Sequence, residues 1–120
     1  MKNFSLAARA KSFTHAGRGI WIFITSTHNA WIHVVATVLC VVLGFYFHLS
    51  RLEWIALVFA FALVFISEAF NTAIEIDIDL TSPEYHPFAR DTKDVAAGAV
   101  LISALAAVVV GFLVFMPHIL

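Results

Sequence analysis

The sequence has little charge, one cysteine, three prolines and five glycines. Each scarcity excludes something. Charged residues make up 12% of the 120, about half the share in an average soluble domain. Net charge is −1 and no long basic run occurs, so the phosphate contacts that hold a nucleic acid are missing. Cys40 stands alone, which rules out an intrachain disulfide. It lies in an apolar run, where a thiol behaves as a small hydrophobe. Neither repeats nor low-complexity segments occur. Met1–Lys11 is polar and basic, and no short apolar stretch ending in a small-residue cleavage site follows it. Insertion into a membrane is therefore expected to rely on the helices of the chain itself.

What is abundant is apolar surface. Hydrophobic residues make up 62% of the chain, more than a single domain of this size can hide from water. A bilayer serves as solvent for the excess. Three stretches, about 30–47, 54–76 and 95–116, each hold the roughly 20 residues that a hydrocarbon core of about 30 Å requires. Backbone groups in lipid must bond internally, so each is expected to be a helix. His48–Glu53 fits a tight turn, and Leu80–Thr92, with Pro83 and Pro87, is expected to be a loop outside the membrane. The segment 4–26 mixes apolar residues such as Leu6, Phe13 and Phe23 with bases and predicts an amphipathic helix on the membrane surface; Gly17 and Gly19 suggest a bend in it. The expected fold is all-α, a single membrane domain over 1–120. Lys2, Arg9, Lys11, Arg18, Arg90 and Lys93 against Arg51 alone place the N-terminus and second loop in the cytoplasm. Ala99, Ser103, Ala107 and Gly111 recur every four positions, a face that admits a close helix neighbour within or between chains.

The second stretch departs from pure hydrophobicity. Glu68, Asn71, Glu75 and Asp79 are spaced by three, four and four, which puts them on one helix face with Thr72 beside them. Asp77 points elsewhere and reads as a hydrated surface charge, as Asp91 does. Ending the span before Glu68 would leave about 14 apolar residues, too few to cross comfortably. Glu68 is therefore expected to be immersed or at the boundary, where a charge costs about 2.5–3.5 kcal/mol and marks function more often than a simple ion pair. Lys93 and Asp94 continue the polar set at the entry to the third span. Carboxylates can hold Mg²⁺ together with phosphate oxygens, and a lysine can neutralise phosphate, which suits phosphoryl transfer. The same inventory suits a proton or cation pathway equally well, and a structural membrane subunit stands as a third reading.

Three blocks go further. Glu68-Ala-Phe-Asn-Thr-Ala-Ile-Glu75, Ser82-Pro-Glu-Tyr-His-Pro87 and Lys93-Asp-Val-Ala-Ala-Gly-Ala-Val100 resemble, in order and spacing, the signature of the prokaryotic diacylglycerol kinase and undecaprenol kinase family. Asn29 with Ile32-His33 resembles the family's entry to its first span, so the likeness covers nearly the whole chain. It implies a homotrimer of three-span subunits in the bacterial cytoplasmic (inner) membrane. The expected reaction moves the γ-phosphate of ATP, with Mg²⁺, onto a lipid alcohol at the cytoplasmic interface. By position Glu68 would be the general base and Glu75 the Mg²⁺ ligand, with Asn71 and Asp79 in support. Glu84, Tyr85 and His86 would contact nucleotide, and Lys93 and Asp94 would contact phosphates and nucleotide. His15 falls where relatives carry a nucleotide-contacting aromatic. One departure stands out: Ser26-Thr27-His28 occupies a stretch where the family commonly has a second metal-binding glutamate, and Thr27 aligns with that acid. Pro87 and Ala97-Gly98 look more like the undecaprenol branch. His28, His33, His48 and His118 share no ligand spacing and read as satisfied or interfacial polar residues. Trp21, Trp31 and Trp54 read as interfacial aromatics.

Overall fold

The computed structural model describes residues 3–26 and 28–120, and of His28 the backbone alone. Lys2 and Thr27 lie outside the described residues. The described residues form four α-helices: α1 (Leu6–Ser26), α2 (His28–Tyr46), α3 (Arg51–Thr81) and α4 (Pro87–Ile119). The last three are long and apolar enough to cross a membrane. At about 1.5 Å per residue, α3 and α4 run to about 45–50 Å, well beyond a hydrocarbon core of about 30 Å, so their polar ends extend past it. The helix α1 continues unbroken through Gly17 and Gly19.

Local chemistry fixes the junctions. The helix α2 closes on a Schellman turn: Leu49 N–H reaches Gly44 O at 3.1 Å and His48 N–H reaches Phe45 O. His48 takes the left-handed backbone there, at φ 54°. Ser50 then caps α3 through a reciprocal box: its Oγ accepts from Glu53 N–H at 3.2 Å, and Glu53 Oε1 accepts from Ser50 N–H at 3.0 Å. The second connection is shorter than the sequence suggests. Only Ser82–His86 separates α3 from α4, because Pro87 starts the helix instead of belonging to the loop. Proline suits the first helical position, where its missing N–H leaves no bond unmade. His86 Nδ1 accepts from Phe88 N–H at 3.1 Å as the cap.

The packed interior is a thin seam, with α3 and α4 in the most extensive contact. Leu57, Ala60, Val64, Glu68 and Thr72 form its buried row on α3, at spacings of three and four. Ala96, Ser103 and Val114 are the buried residues of α4. Of the expected small-residue face, Ser103 is buried and Ala99 is exposed. The helix α1 touches α3 through Phe23, whose ring meets Phe65 edge-on at 6.2 Å. At the far end, His118 Nε2 lies 2.7 Å from Glu53 Oε2 and ties the last turn of α4 to the first of α3. Most large apolar side chains face outward, as they do where lipid or a second chain is the solvent.

Candidate active site

The unbroken run of α3 from Arg51 to Thr81 carries the acidic stripe from the seam to the polar end of the molecule. Exposure rises along it: Glu68 and Thr72 are buried, Asn71 and Glu75 half-buried, and Asp79 exposed. Glu68 is 1% exposed and meets His33 of α2, with 3.0 Å between Oε1 and Nε2. A buried carboxylate needs such a partner. Asp77 and Asp91 are exposed, as expected.

Within the next two turns Asn71 and Glu75 face each other, with Asn71 Nδ2 donating to Glu75 Oε1 at 3.4 Å. Among the described residues, Asn71 Oδ1 beside it is buried without a hydrogen-bond partner, and so is Thr72 Oγ1. An unfilled carbonyl oxygen next to a carboxylate matches the hard oxygen donors that Mg²⁺ takes. Among the described residues no three His, Cys, Asp or Glu side chains converge as a metal cage.

The ends of α3 and α4 and the turn between them enclose a cleft of about 300 Å³. Asp79, Glu84, Tyr85, His86, Lys93 and Asp94 all line it, so the five residues expected to contact nucleotide or phosphate share one concavity with Asp79 of the supporting pair. Lys93 Nζ donates to Asp79 Oδ1 at 2.6 Å. Lys93 precedes the apolar stretch 95–116, and the Asp79 hydrogen bond, helped by the charges of Asp79 and Glu75, raises its pKa above the ordinary lysine value. Arg90 also lines the cleft, 3.8 Å from Asp94. With three carboxylates against two cations, the lining repels a bare polyphosphate; a divalent cation shared with the phosphates reverses that sign.

Four expected residues do not line the cleft: Glu68, Asn71, Glu75 and His15. Glu68 lies eleven residues before Asp79 on α3, about 16 Å along the axis, and does not line it. His15 is exposed on α1 and does not line it either. The Thr27 departure falls outside the described residues. Two residues were missed. Arg90 reads as a loop charge until α4 is seen to start at Pro87; its spacing of four from Asp94 was the available signal. His33 gave no signal of its pairing, since its partner is 35 positions away.

The chain matches the prokaryotic diacylglycerol kinase family over residues 14–115. It is similar to an undecaprenol kinase of Bacillus subtilis, 40% identical over 107 residues that cover 89% of this chain and 87% of that one. A diacylglycerol kinase of Synechocystis is 37% identical over 110 residues, 91% of this chain and 63% of its own length. A diacylglycerol kinase of Helicobacter pylori is 30% identical over 112 residues, 88% of each chain.

Proposed function

The chain belongs to the prokaryotic diacylglycerol kinase family, and from that footing we propose that it moves the γ-phosphate of MgATP onto the hydroxyl of a membrane lipid, undecaprenol or diacylglycerol. The relative at 40% identity is named for the first acceptor, and those at 37% and 30% for the second. The reaction takes place at the cytoplasmic face of the bacterial inner membrane, in a homotrimer. The excess of bases on the N-terminal segment and the first two turns of α4 supports that orientation, and the broad apolar flanks of the single chain leave room for neighbours.

The observation that carries the reading is the stacking of a buried carboxylate below an open polar cleft on one continuous helix. A lipid alcohol reaches Glu68 from the bilayer while a nucleotide enters the cleft from water. Glu68 acts as the general base for the lipid hydroxyl. Glu75 and Asn71 Oδ1 hold Mg²⁺, with Asp79 in support; bound there, the ion offsets the charge on the transferring phosphates. Lys93 offers its ammonium, and Arg90 its guanidinium, to phosphate oxygens. Tyr85 and His86 offer ring faces to the base and ribose, and Glu84 and Asp94 offer acceptors for their N–H and O–H groups.

The test is transfer of radiolabelled phosphate from ATP to each lipid by purified protein in mixed micelles. Glu68→Gln keeps the size and an acceptor for His33 but loses the base, so turnover falls by about 10²–10⁴. Unchanged turnover in that variant removes Glu68 from the mechanism. Comparing diacylglycerol with undecaprenol side by side identifies the acceptor. Ion flux through proteoliposomes without ATP, in the absence of any lipid phosphorylation, supports a conductor instead.

A further inference from the structure

A carboxylate acts as a base through whichever oxygen faces the proton, and its two oxygens turn together about one bond. In this chain one of them is engaged. Glu68 Oε1 lies 3.0 Å from His33 Nε2, and the Glu68 side chain is 2% exposed, so water does not compete for that contact. As the general base of the reading above, Glu68 is ionised and has no proton to give, which assigns the hydrogen of this contact to Nε2 as donor.

The surroundings leave the ring little choice. His33 lines a cavity of about 260 Å³ between α2, α3 and α4 whose walls are mainly apolar, among them Ala36, Val64, Ala104 and Val108. Thr37 also lines it, and its hydroxyl donates to the backbone carbonyl of His33 at 2.7 Å. Cys40 is the only other titratable lining residue. Among the described residues, the partner that Nε2 meets is Glu68 Oε1.

We infer that His33 is a positioning residue for the base: its Nε2–H clamps Glu68 Oε1 and leaves Oε2 to meet the acceptor hydroxyl. The inference rests on the kinase reading above. In the step itself the lipid O–H bond breaks and its proton goes to Oε2. The lipid oxygen forms its bond to the γ-phosphorus as the bond to the leaving diphosphate breaks. His33 neither gains nor loses a proton. Its contribution is orientation, which is worth rate only if the carboxylate is otherwise free to turn.

His33→Met fills the volume without a donor, and His33→Gln restores an amide N–H at a similar reach. In mixed micelles with MgATP and lipid, His33→Met is expected to lose about 10–100-fold in kcat, the scale of one hydrogen bond to a charged group. KM for ATP stays unchanged, because the cleft lies about 16 Å away along α3. His33→Gln recovers most of the lost kcat. A purely structural role would lower the yield of folded protein without this split between kcat and KM and without rescue by glutamine. A second readout needs no turnover: in ¹⁵N-histidine-labelled protein, the His33 Nε2 resonance moves in Glu68→Gln and stays in place in Glu75→Gln. Wild-type kcat in His33→Met overturns the inference, as does a His33 resonance indifferent to Glu68→Gln. If His33→Met does not fold, the resonance decides. Wild-type protein that phosphorylates neither lipid defeats the kinase reading and this inference with it; active wild type with unaffected His33→Met defeats this inference alone.

Discussion

Gly44 offers a sharp test of the packing that joins α2 to α3. A Cβ built on it would sit 2.5 Å from Trp54 Cη2, 2.8 Å from Trp54 Cζ2 and 3.1 Å from Leu49 Cδ1. Carbon pairs prefer about 3.5–4.0 Å, so Gly44→Ala forces the indole to move by about 1 Å. The indole is hemmed in: its ring centroid lies 5.0 Å from that of Phe45, and it packs against the buried cluster of Leu49, Leu57 and Val114. Overpacking of this kind costs about 1–3 kcal/mol. Alanine returns up to about 1 kcal/mol of helix propensity. The net expectation for Gly44→Ala is therefore a loss of about 1 kcal/mol, and for Gly44→Val a larger one. Trp54→Leu removes the clash and leaves Leu49 to yield a few tenths of an ångström. In that background Gly44→Ala should stabilise, so the sign reverses. The assay is reversible unfolding in mixed micelles of rising dodecyl sulfate fraction, followed by near-ultraviolet ellipticity. Phosphate transfer per folded molecule stays unchanged, since Trp54 lies 25 residues before Asp79 on α3, about 37 Å along its axis. A Gly44→Ala effect of the same sign and size in both backgrounds refutes the reasoning.

Further outcomes concern the polar end. Glu75→Gln removes a negative Mg²⁺ ligand and should shift the Mg²⁺ concentration for half-maximal activity upward by about tenfold or more, read from a Mg²⁺ titration at fixed ATP. Thr27→Glu, which supplies the acid that the family resemblance implies at this position, should move the same midpoint down. Lys93→Met should raise KM for ATP by about tenfold through loss of a charge-assisted phosphate contact, with the acceptor KM unchanged, as measured by varying each substrate in turn.

Much of this molecule is legible along the chain because hydropathy and helical periodicity are local properties. Three apolar stretches predict three crossing helices, and spacings of three and four put Glu68, Asn71, Glu75 and Asp79 on one face before any contact is known. The cleft residues were legible through the family resemblance alone, which marked Glu84, Tyr85, His86, Lys93 and Asp94 by position; the short turn that sets them beside Asp79 reads as a longer loop until α4 is seen to start at Pro87. The helix boundaries were less so. Pro87 looks like a loop residue until its role as first residue of α4 is seen, and only then does Arg90 fall four positions from Asp94 on a helix face.

The sequence by itself determined that this chain lives in a membrane, how many times it can cross, and which side chains share a helix face, since each follows from neighbours a few residues apart. Tertiary structure alone decided which groups meet across helices. It joined His33 to Glu68 over 35 positions and Glu53 to His118 over 65, and it set Gly44 under the indole of Trp54. A helix fixes the direction of its side chains but not the helix they face. The partner of a buried carboxylate, and so the oxygen it has left for chemistry, is settled only when the helices pack.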